Sequence, residues 1–325
     1  MKGIVYVRYG SPDCLELMDL EAPAPRAGEV LVRVHAASAN ALDYRRFEKQ
    51  SALGRLMDER LARAVGKVLG ADIAGTVQAV GPGVETLSVG DEVFGVAADL
   101  RGGFAELARA RERELARKPS SLSFTEAAAV PTAAVTALQC LRDHARLRAG
   151  QEVLVHGASG GVGTFAVQLA RAFGAEVTAV CSSPNADAVR ALGAKRVVDY
   201  TREDFAAGPT RYDLIVGVNG NRSLLEYRRA LAPGGAYVGL GGSIRQIMQA
   251  MLLGPLLSLF GRKRLRFMGI AKVHADDLRQ LGELVATGKL APVIDRTVPL
   301  AETREAIRYL TAGHARGKVV IDMAR

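Results

Sequence analysis

The sequence predicts an α/β protein in which a β-rich first domain precedes a doubly wound parallel sheet. Two observations support this fold class. Residues 1–122 hold short Val-rich runs separated by Gly and Pro, whereas strand-like and helix-like segments alternate from residue 123 onward. The 325 residues are 49% hydrophobic and 24% charged, which suits about two folded domains and excludes a disordered chain.

In residues 1–122, Val30, Val32 and Val34 recur at the two-residue spacing of a half-buried strand. Gly and Pro residues between positions 81 and 90 then separate further short strands. Between these regions Ser51–Leu69 is basic and amphipathic, and we interpret it as a helical insert or flap.

In residues 123–272, Ser123 and Glu126 have the spacing of a capping box, which predicts a helix start. Six strands of a parallel sheet follow, with helical patterns between most of them. They are predicted at Glu152–His156, Glu176–Cys181, Arg196–Tyr200, Tyr212–Val216, Ala236–Leu240 and Arg266–Ile270. In residues 273–325, helices are predicted near 275–287 and 302–312, and a final strand at Lys318–Asp322.

A glycine-rich turn is the strongest motif, because it follows a strand and opens an amphipathic helix. Its glycines are Gly157, Gly160, Gly161 and Gly163. The apolar residues of the helix follow the spacing i, i+3, i+4, i+7: Val162, Phe165, Ala166, Leu169, Ala170 and Phe173. Such a turn lets the backbone approach a pyrophosphate at a helix N-terminus, so it predicts a dinucleotide site. The alternative is a structural turn.

The end of the second predicted strand indicates which dinucleotide binds. An NAD enzyme places Asp or Glu there to bind the ribose 2′-hydroxyl. The segment Cys181–Asn185 contains no acid, and Ser182 and Asn185 can donate hydrogen bonds to a 2′-phosphate. This favours NADP(H), unless these residues only cap the next helix.

Several segments together resemble one enzyme superfamily: VLGADIAGTVQAVGPGVETLSVGDEVFG, AAAVPTAAVTALQCL, VLVHGASGGVG and the closing HARGKVVI. They are similar to those of the medium-chain dehydrogenase/reductase superfamily, in particular its zinc-independent quinone oxidoreductase branch. The resemblance implies a GroES-like catalytic domain and a Rossmann domain, with the last part of the chain returning to the first domain. It also implies a homodimer or tetramer.

The same resemblance argues against zinc. The zinc alcohol dehydrogenases of the superfamily have a Cys ligand three residues before an Asp, and Asn40 stands there, before Asp43. Their Gly-His-Glu motif corresponds to Gly70-Ala71-Asp72, so Ala71 replaces a His ligand. No metal site is therefore expected.

The resemblance also implies which residues form the site. Asn40 and Tyr44 are placed at the nicotinamide: Asn40 to bond the ribose or the substrate carbonyl, Tyr44 to bond the carbonyl or donate a proton. The alternative for Tyr44 is a packed aromatic. The implied cofactor-binding residues are Asn40, Thr136, Gly157, Ser159, Gly160, Gly161, Val162, Gly163, Cys181, Ser182, Asn185, Tyr200, Asn219, Leu240, Gly241 and Lys318. Gly217 departs from the family's usual Asp, which puts the contacts around Asn219 in doubt.

These features predict an NADPH-dependent oxidoreductase that passes a hydride to a quinone or an α,β-unsaturated carbonyl compound. An alcohol or aldehyde oxidoreductase is the alternative enzyme. A non-catalytic protein that binds nucleic acid or a partner protein is the alternative class, to which the net charge of +9 and the cluster Arg262–Arg264 are suited. We interpret that cluster as a solvated turn.

The remaining features bear on location and substrate. Three well-separated cysteines and the lack of a signal-like start favour a reducing cytoplasm. The most apolar stretch, Ile247–Phe260, is shorter than the ~20 residues of a membrane-spanning helix, so no membrane partner is expected. That stretch and Arg45–Leu69 are candidate walls of a pocket for a bulky apolar carbonyl compound. The stretch can equally be a dimer contact or a core helix.

Overall fold

The computed structural model describes residues 1–8, 10–45, 67–220, 222–242, 244–259, 261–313 and 315–324. The chain divides into two compact units. The first comprises Met1–Thr132, Val273–Ala286 and Pro292–Arg325, and the second comprises Ala133–Lys272 and Thr287–Ala291. Most of the insert expected at Ser51–Leu69, and of the pocket wall expected at Arg45–Leu69, lies outside the described residues.

The strands are β1 (Lys2–Tyr6), β2 (Leu15–Asp19), β3 (Glu29–Ala39), β4 (Asp72–Val80), β5 (Glu92–Val96), β6 (Leu107–Arg111), β7 (Leu115–Arg117), β8 (Glu152–His156), β9 (Glu176–Cys181), β10 (Arg196–Asp199), β11 (Tyr212–Gly217), β12 (Leu231–Gly239), β13 (Arg264–Phe267), β14 (Ile294–Pro299) and β15 (Lys318–Asp322). The helices are α1 (Ala41–Arg45), α2 (Phe124–Ala128), α3 (Pro131–Gln139), α4 (Gly161–Ala172), α5 (Ala186–Ala191), α6 (Leu224–Ala230), α7 (Ile244–Leu259), α8 (Ala275–Ala286) and α9 (Thr303–Thr311).

The first unit contains a sheet with the strand order β14-β15-β3-β4-β5-β7, and β6 also pairs with β3. The inward side chains of β3 at Val30, Val32 and Val34 are buried, as the alternating pattern predicts. Strand β3 runs antiparallel to both β4 and β15. Its last residues therefore lie beside the first residues of those two strands, which positions a cluster of polar side chains there.

The capping box at Ser123 is present, with Ser123 and Glu126 bonding each other's backbone amides. Helix α2, which it opens, packs on β3 and β4 of the first unit. For this reason the division between the units falls after Thr132 rather than after residue 122. The last part of the chain returns to the first unit, apart from Thr287–Ala291.

The second unit contains a parallel sheet with the order β10-β9-β8-β11-β12-β13. This is the doubly wound order that the alternation of strands and helices predicts, and it reverses direction between β8 and β11. The predicted bounds of β8 and β9 are confirmed. Strand β13 begins at Arg264 rather than Arg266, because its pairing with β12 runs from Arg264 to Phe267.

Helix α4 is buried more completely than one apolar stripe requires, since every residue from Gly163 to Ala170 is buried. Gln168 lies among them although its side chain is polar. Its amide donates to the carbonyl oxygen of Ala291 at 2.9 Å and accepts from the Ala291 amide at 2.9 Å. This pair of bonds ties Thr287–Ala291 to the second unit. Among the described residues, no helix is long and apolar enough to cross a membrane.

Candidate active site

In the first unit, a buried polar cluster forms where β3 ends and where β4 and β15 begin. Its members are Ser38, Asn40, Asp72, Thr132 and Lys318. The Asp72 carboxylate is fully buried and accepts bonds from the Ser38 hydroxyl at 2.8 Å, the Asn40 amide at 3.0 Å and the Thr132 backbone amide at 3.0 Å. Such a dense set of donors keeps a buried carboxylate satisfied.

Lys318 supplies the positive charge of the polar cluster and is itself only 3% exposed. Its Nζ lies 2.6 Å from Asn40 Oδ1, 3.3 Å from the Ala39 carbonyl oxygen and 3.4 Å from Asp72 Oδ2. An ammonium group has three donors. All three therefore serve the polar cluster, so that Lys318, implied to be a cofactor contact, holds Asn40 in place.

The orientation of the Asn40 amide follows from its neighbours. Lysine only donates and an ionised carboxylate only accepts, so the oxygen of Asn40 faces Lys318 and the nitrogen faces Asp72. The second hydrogen of Asn40 Nδ2 goes to the Ser38 carbonyl oxygen at 3.2 Å. Both donors of Asn40 are used, and Oδ1 keeps one lone pair. Asn40 Oδ1 can therefore accept a hydrogen bond from a ribose hydroxyl, whereas Asn40 Nδ2 has no hydrogen left to donate to a substrate carbonyl.

Tyr44 lies on the short helix α1, which begins directly after Asn40. Two bonds close the turn. The backbone amide of Asn40 donates to the Asp43 carboxylate at 2.8 Å, and the backbone amide of Asp43 donates to the backbone carbonyl of Asn40 at 3.0 Å. The Tyr44 ring is half-buried against the core of the first unit. The packed-aromatic alternative for Tyr44 thus describes its ring, while a role for its hydroxyl stays a hypothesis.

The glycine-rich turn of the second unit follows β8 and opens α4, as predicted. Gly157 has φ +89°, a conformation that favours glycine. A Cβ at Gly163 would lie 2.1 Å from the Gly157 carbonyl oxygen, so Gly163 is required by packing. Gly160 differs, because it has φ −84° and a Cβ there would meet only the Gly157 oxygen at 3.7 Å. Space beside Gly160 is therefore left for a ligand.

Three polar residues meet beside this turn. Asn185 Nδ2 donates to Ser182 Oγ at 3.1 Å and to Ser159 Oγ at 3.3 Å. These bonds join the glycine turn to the segment after β9, where a 2′-phosphate is expected. Ser182 is the N-cap of the short 3-10 turn Ser183–Asn185 without a side-chain capping bond, so the capping alternative does not account for its hydroxyl.

Asp199 is a residue that the sequence interpretation overlooked. Parallel pairing places it opposite Cys181, although 18 positions separate them. Its carboxylate accepts bonds from the Ser183 hydroxyl, and from the Thr201 amide at 2.9 Å and hydroxyl at 2.8 Å. The bonds from Ser183 and Thr201 hold the pKa of the Asp199 carboxyl below its usual value. A negative charge therefore lies beside Ser183, although the segment Cys181–Asn185 itself contains no acid.

An aromatic cluster lies under the ends of β8, β11 and β12. Tyr227 stacks on Tyr237 with ring centroids 4.5 Å apart, and its hydroxyl lies 2.8 Å from Nδ1 of His156. Burial lowers the pKa of His156 to about 4, so this histidine is neutral at pH 7. A Cβ at Gly217 would lie 2.6 Å from the Tyr237 hydroxyl, which explains why glycine replaces the family's usual Asp. Gly217 and Gly220 are the sequence features that could have pointed to this aromatic cluster.

The other expected cofactor residues also lie in the second unit. Cys181 is buried at the end of β9 and Thr136 is buried on α3. Tyr200 is 51% exposed directly after β10. Asn219 is exposed after β11, and Leu240 and Gly241 follow β12. A Cβ at Gly241 would lie 2.6 Å from the Val218 carbonyl oxygen, which makes Gly241 a close backbone approach. Apart from Thr136, these residues lie at or directly after the carboxyl ends of the strands.

The polar cluster does not suit a zinc ion. Ala71 has no ligand atom, and the Asn40 amide is engaged by Lys318 and Asp72. The Lys318 ammonium, 2.6 Å from Asn40 Oδ1, would repel a divalent cation bound there. The glycine turn of the second unit, by contrast, has the open backbone that a dinucleotide pyrophosphate needs.

Comparison with known proteins identifies related chains. Residues 26–120 match the alcohol dehydrogenase GroES-like domain, and residues 192–321 match a domain described as a zinc-binding dehydrogenase. The chloroplast envelope quinone oxidoreductase homolog of Arabidopsis thaliana is 32% identical over 99% of this chain and 98% of its own length.

Two further proteins are similar over almost the whole chain. The chloroplastic NADPH-dependent alkenal/one oxidoreductase of Arabidopsis thaliana is 32% identical over 99% of this chain and 79% of its own length. The solved structure of the quinone oxidoreductase from Coxiella burnetii has a TM-score of 0.89 and 31% identity, and covers 99% of both chains.

Proposed function

Because this chain belongs to the quinone oxidoreductase-like branch of the medium-chain dehydrogenase/reductase superfamily, we propose that it is a zinc-independent, NADPH-dependent reductase of quinones or α,β-unsaturated carbonyl compounds. The chain is an oxidoreductase of this superfamily, and the related alkenal/one oxidoreductase of Arabidopsis thaliana is NADPH-dependent. One observation supports zinc independence in particular. The Lys318 ammonium is bonded to Asn40 beside Asp72, and the position of Asn40 is one at which the zinc enzymes have a metal ligand.

NADPH is proposed to bind along the carboxyl edge of the parallel sheet in the second unit. The first-turn amides of α4 suit the pyrophosphate, because a helix leaves these groups without internal acceptors. Asn185 donates to the hydroxyl oxygens of Ser182 and Ser159, so these two hydroxyls, which Asn185 positions, suit donation to the 2′-phosphate, and Tyr200 suits the adenosine. When bound, the nicotinamide supplies a hydride to the substrate.

The residues of the first unit are proposed to act on the nicotinamide end. Asn40 Oδ1, held by Lys318, has one lone pair left to accept from a ribose hydroxyl. Its amide hydrogens are engaged, so we assign no bond from Asn40 to the substrate oxygen. The oxygen that gains negative charge during reduction must then be protonated by the Tyr44 hydroxyl or by water.

A screen of quinones and enones with NADPH and NADH tests the proposal directly. We expect turnover with NADPH, and full activity after treatment with a chelator. About one tightly held zinc per chain by elemental analysis would contradict zinc independence. A salt-titrated DNA-binding assay run beside the screen tests the non-catalytic alternative.

Tyr44→Phe separates the two roles of Tyr44. A proton donor predicts a fall in kcat of about 10²-fold with an unchanged Kd for NADPH. A ring that only packs predicts an unchanged kcat, because Phe retains the ring. The implied homodimer is tested separately by light scattering.

A further inference from the structure

Two segments of the second unit diverge where β8 and β11 lie side by side. The order of the parallel sheet reverses at this pair of strands, and such a point leaves a crevice for a ligand beyond the carboxyl ends of the strands. The glycine turn follows β8, and residues 218–220 follow β11. We call residues 218–220 the crevice segment. A group that fixes the crevice segment against the glycine turn therefore sets the width of the crevice.

The crevice segment packs closely against backbone on two sides. A Cβ at Gly157 would lie 3.0 Å from the backbone nitrogen of Asn219, and a Cβ at Gly241 would lie 2.6 Å from the carbonyl oxygen of Val218. The backbone amide of Val218 also donates to the carbonyl oxygen of His156 at 3.0 Å. Gly157 and Gly241 are both expected cofactor residues, so a shift of the crevice segment would disturb the cofactor site on both sides.

One buried hydrogen bond lies directly beneath the crevice segment. The Tyr227 hydroxyl lies 2.8 Å from Nδ1 of His156, and both side chains are buried. A Cβ at Gly220 would overlap the Tyr227 hydroxyl oxygen and would lie 2.7 Å from His156 Nδ1. The backbone of Gly220 therefore lies against the two bonded atoms themselves, and only glycine leaves room for their bond.

The neighbours of the Tyr227 hydroxyl indicate the direction of this bond. The backbone amide of Arg222 donates to the hydroxyl oxygen. His156 is neutral at pH 7, because burial lowers its pKa to about 4, so one of its ring nitrogens is an acceptor. We assign the phenol hydrogen to Nδ1, which satisfies both groups. The Tyr227 hydroxyl thus bonds the end of β8 through His156 and the chain beyond the crevice segment through Arg222.

We propose that Tyr227 and His156 are positioning residues for the dinucleotide, and that their bond holds the crevice segment against the glycine turn. This inference rests on the proposed binding of NADPH to the second unit. Both side chains are buried and act through the backbone of the crevice segment. Loss of their bond should therefore weaken the binding of NADPH and NADH by the same factor and leave the preference between the two cofactors unchanged.

The alternative is that the bond contributes only to stability, and Tyr212 provides the matched control. Tyr212 is as fully buried as Tyr227 and belongs to the same unit. It begins β11, at the amino edge of the parallel sheet, so the length of the strand separates it from the crevice segment. Tyr212→Phe therefore removes a buried tyrosine hydroxyl without altering the proposed cofactor site.

Titration of the ligand-free full chain with NADPH and with NADH, together with urea denaturation, tests the proposal. We expect Tyr227→Phe to raise the Kd for both cofactors by about tenfold, which is the scale of one buried hydrogen bond. Tyr212→Phe should leave both Kd values unchanged, although both variants should lose stability in urea.

Two variants of His156 sharpen the test. His156→Leu removes the acceptor and should raise the Kd as Tyr227→Phe does. The double variant should bind no more weakly than either single variant, because both changes remove the same bond. His156→Asn should restore much of the affinity that His156→Leu loses, since the amide oxygen of Asn can accept at the position of Nδ1.

The outcomes separate this inference from the proposed function. Unchanged Kd values in Tyr227→Phe, or the same increase in Tyr212→Phe, would overturn the positioning role and leave the proposed function intact. An increase in Kd for NADPH alone would also contradict it, because it would place the effect at the 2′-phosphate. Failure of the unmodified protein to bind either cofactor would overturn the proposed function, and this inference with it.

Discussion

The two units bury ionisable groups in opposite ways. In the first unit, the polar cluster buries an ionised pair, Lys318 and Asp72, whose charges are compensated by each other and by hydrogen bonds. In the second unit, His156 is buried uncharged against Tyr227 behind the glycine turn. The first arrangement depends on charged partners from distant segments, whereas His156 is kept neutral mainly by burial, with a smaller contribution from the charge of Arg222. The two regions should therefore respond differently to loss of a partner and to a change of pH.

Removal of the cluster's cation should have the largest effect. Lys318→Met leaves the Asp72 carboxylate buried without its counter-charge, and we expect a loss of about 3–5 kcal/mol in the free energy of unfolding. Urea denaturation measures it. Lys195→Met is the control, because Lys195 and Glu176 are 3.1 Å apart but exposed, and we expect no measurable change there. An equally small change in the free energy of unfolding for both variants would mean that the buried Lys318–Asp72 pair matters no more to stability than an exposed pair.

Acid should destabilise the second unit through His156. Its pKa is about 4 in the folded protein and near 6.5 when unfolded, so the neutral form is favoured by folding. This contribution is complete above pH 6.5 and is lost as the pH falls towards 4, by about 3 kcal/mol in all. Urea denaturation at pH 7 and pH 4.5 measures the loss. His156→Gln should remove this part of the pH dependence, whereas replacement of the exposed His274 by Gln should leave it intact.

The glycine turn allows packing and ligand binding to be separated. Gly160→Val should keep the fold, because a Cβ at Gly160 meets only one atom at 3.7 Å, but should weaken NADPH binding by ~10²-fold. Titration of ligand-free protein measures the Kd. Gly163→Ala should instead lower the free energy of unfolding by about 1–3 kcal/mol, because its Cβ meets a backbone oxygen at 2.1 Å. Normal folding with normal NADPH affinity in Gly160→Val would show that the phosphate site lies elsewhere.

The smallest expected effect concerns the choice of cofactor. The unmodified protein should bind NADPH at least ~10-fold more tightly than NADH, and Asn185→Asp should reduce that ratio by about tenfold, or ~1.4 kcal/mol. The new carboxylate would lie beside Ser159 and Ser182, where the 2′-phosphate is proposed. Asp187→Asn is the control, because the Asp187 side chain is almost fully exposed. Equal Kd values for both cofactors in the unmodified protein would contradict the proposed preference.

The contrast between local and distant partners also explains which parts of the structure the sequence predicted. Strand β8, the glycine turn and α4 are consecutive in the chain, so their pattern predicts their structure. Lys318 and Asn40 are 278 positions apart, and no local pattern signals that the side chain of one fixes the amide of the other. Asp199 reaches the segment after β9 only through parallel pairing, and the ring of Tyr237 occupies the space at Gly217 from another strand. Contacts between distant segments were thus the part that sequence patterns could not supply.

The position of Lys318 late in the chain has a consequence for folding during synthesis. A ribosome completes all six strands of the parallel sheet, up to Phe267, before it adds Lys318. Until β15 pairs with β3, the Asp72 carboxylate lacks its cation and Asn40 lacks the group that orients it. The second unit can therefore form while the nascent chain is still growing, whereas the first unit reaches its final arrangement only after strand β15 has been released.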